Sequence, residues 1–411
     1  MPTPFSKVIA SRDAFARLRS EDVYRVSQGF IQQHYHHALR RVQDLERHLK
    51  DLFVGANMAE NIRMLIACAI AQEPVLFVGG PGLAKTELAI AFYESIGLRK
   101  PTQNGEPDAE DDTLSTNKYY EYLLSAFTLP EELFGPYDVQ LLAEGRFKRR
   151  NDNMLTGSGV RGCFLDEVFR GSSNILNTML TLINERRYFD DGVFHQSDLA
   201  VIIGASNTTP TVAATSFSGS LQLPTKTGNE LLAFYDRFTI RLHFRYPDTE
   251  KMGENVKASE YYKIREKSIA REQYKLVRGQ PFNFQKDAEG KELEMPSINE
   301  LLLLSRILFP STDQHGVIAR PSEGWIERFL KLGMHLADLE TSLVRISPRK
   351  MTRLEKLAYA LALLDHPADD PGRPVEVTDA HLGVFKHIWE NEQFHDQLTR
   401  DVDQALERFG H

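Results

Sequence analysis

The sequence predicts an α/β fold with a parallel sheet, followed by a smaller all-helical domain. A short apolar run, 74–78, leads through a glycine-rich loop into an apolar helical stretch, and two later apolar runs, 160–167 and 199–207, each end in polar side chains. Short apolar runs bounded by turn residues are typical of buried strands. From residue 296 onward, amphipathic or apolar helical segments predict the second domain.

The glycine-rich loop, 79–86, has the layout of a phosphate-binding P-loop between a strand and a helix. Its glycines allow successive backbone N–H groups to point to one place, and the helix N-terminus adds positive potential there. Lys85 can reach nucleotide phosphates, and the Thr86 hydroxyl can ligate Mg²⁺. The alternative is a loop that merely turns the chain. The expected nucleotide contacts are Gly80, Pro81, Gly82, Leu83, Ala84, Lys85, Thr86 and Glu87.

Two adjacent carboxylates, Asp166 and Glu167, close the second apolar run. A P-loop protein holds its metal ion with a carboxylate at the end of a neighbouring strand, and Asp166 fits that role together with Thr86. Glu167 is then placed to polarise a water molecule for attack on the γ-phosphate. A strand that ends at a solvated acidic turn is the alternative. A nucleotide switch needs only the first acid, so the second one favours hydrolysis.

Two further polar residues follow in the order that such a site needs. Asn207 ends the third apolar run and could hold the attacking water, although an asparagine after a strand is commonly a turn residue. Arg237 is flanked by apolar residues and could act as an arginine finger on the nucleotide of a neighbouring subunit. The alternative is an arginine that snorkels or pairs with Asp236.

Taken in order, these motifs resemble those of AAA+ ATPases, and the residues between them resemble the MoxR family, closest to its RavA branch. Ala84 stands where the usual loop has glycine, and the resulting Ala-Lys-Thr ending resembles the ending of this loop in MoxR proteins. The resemblance covers residues 45–247 closely and 297–395 more loosely. The stretches that carry it, besides the motifs, are 123–136, 144–149 and 174–186.

The resemblance implies a role for each residue. It matches Lys85 and Thr86 to the Walker A motif, Asp166 and Glu167 to Walker B, Asn207 to sensor 1, Arg237 to the arginine finger and Arg349 to sensor 2. Arg349 stands near the start of a lid helix, from which it could swing toward the γ-phosphate. The implied activity is hydrolysis of ATP to ADP with Mg²⁺ in a homo-hexamer. That activity would drive the remodelling or maturation of a partner protein, commonly one of von Willebrand factor A (vWA) type.

The same resemblance suggests a division of the chain. We expect an N-terminal helical extension at 1–48, an αβα nucleotide-binding domain at 49–247, a charged insertion at 248–296 and a helical lid at 297–411.

Two inserts are expected within the nucleotide-binding domain. Residues 135–150 (the first insert) show strand-like alternation at 145–148, and residues 187–195 (the second insert) hold an Asp-Gly pair between β-forming residues. An Asp-Gly pair in this setting predicts a β-hairpin. In related hexamers such hairpins line the central pore.

Net charge, cysteine content and hydropathy argue against several other classes of protein. A net charge of −8 argues against a surface built to coat nucleic acid. The two cysteines, Cys68 and Cys163, lie in apolar runs and are expected to be buried thiols in a reducing cytoplasm. No signal peptide or membrane-spanning run is present, so no membrane insertion is expected. A motor associated with defence or nucleic acid stays open because of the basic 1–48 segment and the charged 251–285 segment. A nucleotide-gated scaffold is the non-enzymatic alternative.

Overall fold

The structure is a computed structural model that describes most of the chain. The described residues are 26–55, 57–99, 118–207, 209, 231–246, 263–269, 293–309, 317–339, 344–370 and 372–409. The Ser/Thr/Gly-rich segment between Asn207 and the predicted arginine finger lies almost entirely outside these residues, as does most of the 251–285 segment. Residues 263–269 of the latter are helical and mostly exposed, as expected for a solvated helix.

A parallel sheet of five strands forms the centre of the first domain, which confirms the predicted fold class. The strand order is β2–β3–β6–β1–β7, and every neighbouring pair runs parallel. The carboxyl ends of parallel strands meet at one edge of a sheet, so the residues that follow β1, β3 and β6 are brought together there. The strands are β1 (Val75–Val78), β2 (Lys118–Leu123), β3 (Val160–Asp166), β6 (Val201–Ser206) and β7 (Ile240–His243).

Helices flank this sheet and form the second domain. α2 packs against β6 and β7, and α3 packs against β3 and β6. Every residue of β1 and β6 is buried, as expected for strands covered on both faces. The helices are α1 (Gln28–Leu52), α2 (Met58–Ala71), α3 (Lys85–Ser95), α4 (Pro130–Phe134), α5 (Val139–Ala143), α6 (Ser173–Glu185), α7 (Ile298–Ser305), α8 (Glu323–Ala337), α9 (Pro348–Asp365) and α10 (His395–Phe409).

The second insert is a β-hairpin, as predicted. β4 (Arg187–Asp190) pairs antiparallel with β5 (Val193–Gln196). The two turn residues, Asp191 and Gly192, both have positive φ angles of 47° and 80°. This backbone belongs to the tight hairpin turns whose twist matches that of the flanking strands.

The first insert is not the hairpin that its alternation predicts. It contains the short helix α5, whose N-terminus is capped by the Asp138 carboxylate through the N–H groups of Gln140 and Leu141. One antiparallel bridge, between Tyr137 and Arg149, closes the insert. The strand expected at 145–148 is therefore wrong: the chain turns at 144–145 directly after α5, and pairing within the insert is limited to the bridge at Arg149.

α1 contacts helices from both the first and the second part of the chain. The helix runs without a break through the boundary predicted between residues 48 and 49, with Leu45, Leu49 and Leu52 all buried. It packs against α7 and α9 of the helical domain. A partly buried ion pair between Arg41 Nη1 and Glu300 Oε1, at 2.7 Å, strengthens this contact.

Several smaller expectations can be compared with the structure. Cys68 and Cys163 are both buried, as predicted. Thr378 stands at the N-terminus of the 3₁₀-helix Asp379–His387, where its backbone N–H donates to His381 Nδ1 at 2.8 Å. Within the described part of the chain, no helix is both long and apolar enough to cross a bilayer. The same residues contain no group of three or more side chains suited to hold a metal ion on their own.

Candidate functional site

The glycine-rich loop between β1 and α3 has a backbone that exposes the start of α3. Gly82 has φ +75°, and Gly79 approaches the next strand so closely that a Cβ there would lie 2.2 Å from the Phe244 carbonyl oxygen. Ala84, the residue before α3, is left-handed at φ 59° and offers no side-chain cap. The first N–H groups of α3 thus lack a side-chain cap, as in loops that bind phosphate.

Lys85 begins α3, and its side chain folds back onto the loop. Its Nζ donates to the carbonyl oxygens of Gly79 at 2.5 Å and Gly80 at 2.8 Å, and to Asn207 Oδ1 at 3.0 Å. Burial lowers the pKa of Lys85, and the nearby carboxylates of Asp166 and Glu167 oppose that effect. The ammonium group is therefore already largely removed from water and held next to the loop.

Thr86 and Asp166 face each other across the sheet edge. Thr86 Oγ1 donates to Asp166 Oδ2 at 3.3 Å, and Asp166 Oδ1 accepts from the backbone N–H of Glu167 at 2.9 Å. Hydroxyl and carboxylate oxygens are the kind of ligand that Mg²⁺ prefers, and these two are close enough to bind one ion together. The two predicted metal ligands are thus neighbours, although they lie far apart in the chain.

Asn207 links the lysine to the second carboxylate. Its Nδ2 donates to Glu167 Oε1, while its Oδ1 accepts from Lys85. Glu167 itself is left-handed, at φ 50° and ψ 42°, where the chain leaves β3. Non-glycine residues in this conformation cost of the order of 1–3 kcal/mol and are frequent at functional sites. The Nε of Arg170 lies 3.4 Å from Glu167 Oε2.

Arg237 and Arg349 form a second group. No hydrogen bond or ion pair within the described residues joins either arginine to Lys85, Glu167 or Asn207. Burial lowers the pKa of Arg237; Asp236 opposes this effect, whereas the neighbouring charge of Arg349 adds to it. The structure therefore gathers five predicted site residues at the sheet edge, and Arg237 and Arg349 are not part of that hydrogen-bonded group.

A cavity of about 280 Å³ adjoins the loop. Its walls are largely apolar and come from the α1–α2 connection, the loop, the end of β7 and the 263–269 segment. The Tyr246 hydroxyl donates to the Pro81 carbonyl oxygen at 2.7 Å and so fixes one wall. The lining side chains include Phe53, Met58, Leu83, Glu87, Phe244, Tyr246, Ile264 and Ser268.

Sequence reasoning missed three of the residues at this site. Tyr246 and Ile264 line the cavity, and Glu392 lies within electrostatic range of Lys85. Burial raises the pKa of Glu392, and the backbone N–H of Thr209 and the charge of Lys85 oppose this shift. An aromatic side chain three residues after the end of β7 is the local signal that could have indicated Tyr246. Nothing local marks Ile264 or Glu392, because both reach the site from other parts of the chain.

Comparison with known proteins identifies relatives of this region. Residues 111–277 match the family model of the MoxR domain in the MoxR–vWA–β-propeller ternary systems. The uncharacterized proteins MJ0079 and MJ0812 of Methanocaldococcus jannaschii are 31% identical over 227 residues and 32% identical over 206 residues. These alignments cover 55% and 50% of this chain and 50% and 45% of the relatives. The chain thus spans about half the length of the curated relatives it matches.

A solved structure extends the likeness to nearly the whole fold. A candidate ATPase from Cytophaga hutchinsonii superposes with a TM-score of 0.55 at 16% identity, covering 92% of this chain and 96% of its own. At this level of sequence identity, the superposition shows a shared fold alone. The chain is therefore similar to MoxR-type AAA+ proteins over residues 111–277 and shares the α/β fold of the C. hutchinsonii protein over most of its length.

Proposed function

We propose that this protein is an ATP-hydrolysing AAA+ ATPase of the MoxR type. One observation carries the proposal. Side chains that follow three adjacent strands meet in one hydrogen-bonded group at the carboxyl edge of the sheet. The group consists of Lys85, Thr86, Asp166, Glu167 and Asn207. The sequence similarity to the MoxR domain supports this reading, since the matched region includes three of these residues.

The residues present fit a nucleotide and its metal ion. Gly82 offers no side chain at the mouth of the loop, and the first turn of α3 has no side-chain cap to block its N–H groups. Thr86 and Asp166 supply oxygen donors for a hard cation. The neighbouring cavity, at about 280 Å³, is apolar enough for a nucleotide base. When bound, Mg²⁺ would neutralise charge that develops on the phosphate oxygens.

Each side chain then has a defined task. When a nucleotide binds, the Lys85 ammonium group gives up its hydrogen bonds to the carbonyl oxygens of Gly79 and Gly80 and donates to phosphate oxygens instead. The ammonium group is already shielded from water there, which strengthens this interaction. Glu167 accepts a proton from the attacking water, and the Asn207 amide holds that carboxylate in place. Because Glu167 is held in this way, we favour a hydrolase over a nucleotide-gated scaffold.

The second arginine group supports an oligomer. Arg237 and Arg349 lie within electrostatic range of each other and share no bond with the Lys85 group. We assign both to the nucleotide of a neighbouring subunit, where they would stabilise charge in the transition state. The expected swing of Arg349 toward a γ-phosphate would then be toward the one bound to the neighbouring subunit. A homo-hexameric ring is the assembly that we propose.

We propose that the work of the ring is the remodelling or maturation of a partner protein. The matched family model is named for systems that also contain vWA and β-propeller proteins, so a vWA-type partner is the one to test. Placement near the RavA branch and a cytoplasmic location are parts of the same proposal. The two buried thiols, Cys68 and Cys163, support that location. The nucleic-acid alternative rests on 1–48 and 251–285, of which the structure describes 26–48 and 263–269.

Glu167→Gln tests the chemistry. We expect the variant to bind ATP but to lose about 10²–10⁴-fold in turnover, the usual contribution of a general base. Lys85→Ala should weaken ATP binding as well, and Glu144→Gln, an exposed change in the first insert, serves as the control. The measurements are steady-state hydrolysis and the affinity for a fluorescent ATP analogue, with and without DNA or RNA. Unchanged hydrolysis in a clean Glu167→Gln preparation would overturn the proposal.

A further inference from the structure

The helical domain binds the segment that carries Arg237 through hydrogen bonds and an ion pair. From α9, Arg353 Nη1 donates to the backbone carbonyl of Arg237 at 3.2 Å and to Thr239 Oγ1 at 3.1 Å. Its Nη2 donates to Asn184 Oδ1 at 2.8 Å, at the end of α6. One turn earlier on α9, Lys350 Nζ lies 3.2 Å from Asp236 Oδ1. Two side chains of one helix thus hold the two consecutive residues Asp236 and Arg237.

Lys350 is itself fixed from inside the protein. Only 3% of its side chain is exposed, and its Nζ donates to the Arg345 carbonyl oxygen at 2.6 Å. It also lies 3.6 Å from Glu390 Oε1, which in turn lies 3.4 Å from the fully buried Arg241 Nη1. A buried ammonium group is tolerated only when such partners replace its water. These buried contacts therefore fix the position of the Lys350 ammonium group, and through it that of the Asp236 carboxylate.

The same ion pair connects the two arginines that the mechanism requires. Arg237 directly follows Asp236, and Arg349 directly precedes Lys350. Arg237 Nε is buried without a hydrogen-bond partner, so that atom is not committed to an internal bond. Arg349 is exposed in the first turn of α9. The ion pair thus joins the two backbone positions next to those from which both guanidinium groups extend.

We infer that Lys350, through its ion pair with Asp236, is a positioning residue that holds Arg237 and Arg349 as one pair for the nucleotide of the neighbouring subunit. The inference rests on the proposed function. A purely structural role is the competing explanation. The two explanations predict different effects of Asp236→Asn. Its cost in stability should be small, because the Asp236 carboxylate is 44% exposed and Lys350 keeps its contacts with the Arg345 carbonyl oxygen and Glu390. Loss of positioning instead lowers the rate of the chemical step and leaves ATP binding to the Lys85 group intact.

Asp236→Asn tests the inference with little risk to folding. We expect kcat for ATP to fall roughly ten- to hundredfold, because a displacement of about 1 Å at a reacting group has effects of this size. KM and the affinity for a fluorescent ATP analogue should stay within about twofold of wild type. The matched control is Asp403→Asn, which removes another half-exposed aspartate from a lysine, Lys386, at 2.6 Å within the helical domain. Its kcat should be that of the wild type.

Three further measurements separate positioning from structure. Lys350→Met should reproduce the loss in kcat, and Lys350→Arg should restore part of it. Asp236→Asn should add no further loss in an Arg237→Ala background, because both changes disable the same group. Amide hydrogen exchange at Arg237 and Phe238 should speed up in Asp236→Asn and stay unchanged in Asp403→Asn.

The inference is overturned if Asp236→Asn keeps the wild-type kcat while Arg237→Ala loses it, or if the two losses multiply. That result leaves the proposed function intact. A wild-type protein without ATP turnover, or a Glu167→Gln variant with normal turnover, overturns the proposed function and the inference together. The two failures are therefore distinguishable.

Discussion

At the scale of single residues, Ala84 shows how the loop accommodates a departure from the usual glycine. The residue is left-handed at φ 59° and directly precedes α3. A side chain in this conformation crowds the following carbonyl oxygen at a cost of roughly 1–2 kcal/mol. Glu167, at φ 50°, is in the same state on the opposite side of the site. Both non-glycine left-handed residues border the group formed by Lys85, Thr86 and Asp166, where the chain must turn sharply from a strand.

Ala84→Gly should therefore stabilise the protein slightly. Relief of the crowding outweighs the extra freedom that glycine gains in the unfolded chain, about 0.4–1 kcal/mol, so we expect a net gain of up to about 1 kcal/mol. The control is Ala91→Gly, in the middle of α3, which should cost about 1 kcal/mol or more. Denaturant unfolding of both variants measures the free energies. Equal destabilisation by the two changes would contradict the strain at Ala84.

At the scale of elements, the two inserts form one unit. Arg146 Nη2 pairs with Asp191 Oδ2 at 2.8 Å, and the Asp191 N–H donates to the Phe147 carbonyl oxygen at 3.1 Å. A cavity of about 550 Å³ lies between the inserts. Phe189 and Phe194, a cross-strand pair of the hairpin, are 62% and 57% exposed. Strand alternation instead directs Tyr188 toward the protein.

We expect the two faces of the hairpin to respond differently to mutation. Phe189→Ala and Phe194→Ala should leave the free energy of unfolding within about 0.5 kcal/mol and basal ATPase within a few-fold, while reducing the remodelling of a partner. Tyr188→Ala should cost on the order of 1–3 kcal/mol, because its half-buried ring stacks on His195 and its hydroxyl accepts from Asn151 Nδ2 at 3.1 Å. Thermal unfolding, ATPase activity and partner release are the measurements. If Phe189→Ala and Phe194→Ala unfold early and lose ATPase together, both rings belong to the core.

At the scale of the whole molecule, buried polar contacts fasten the helical domain to the sheet. Arg241 on β7 is fully buried, and its Nη1 donates to the carbonyl oxygens of Ile388 at 2.8 Å and Trp389 at 2.7 Å. Tyr235 donates to the Glu390 carbonyl oxygen at 3.0 Å and lies under the Arg241 guanidinium, 4.0 Å from ring centroid to Cζ. Arg237 lies between Tyr235 and Arg241 in the chain, and its own carbonyl oxygen accepts from Arg353 of α9. Both domains therefore contact the segment that carries Arg237.

An oligomeric active species follows if Arg237 serves a neighbouring subunit. Specific ATPase activity should then rise with protein concentration. Mixing Arg237→Ala with Glu167→Gln subunits should restore some activity, because a fraction of the interfaces pairs an intact arginine with an intact general base. The control is each variant alone at the same total concentration. Concentration-independent activity from a monomer would contradict this arrangement.

The sequence by itself determined the secondary-structure elements whose signals lie within a few neighbouring residues. Apolar runs indicate the strands that lead to Gly79, Asp166 and Asn207. Turn chemistry indicates the hairpin at Asp191–Gly192. The metal-side and general-base roles of Asp166 and Glu167 stay predictions.

Only the tertiary structure decided which distant residues meet. Lys85 and Asn207 are 122 positions apart and are neighbours because β6 pairs with β1. The start of α9, with Arg349, lies near Asp236 and Arg237 because α9 docks on the segment that precedes β7, and Ile264 reaches the cavity from the 263–269 helix. Strand order and domain docking are set by the burial of apolar surface over the whole chain. That sum is not visible in any local window of sequence.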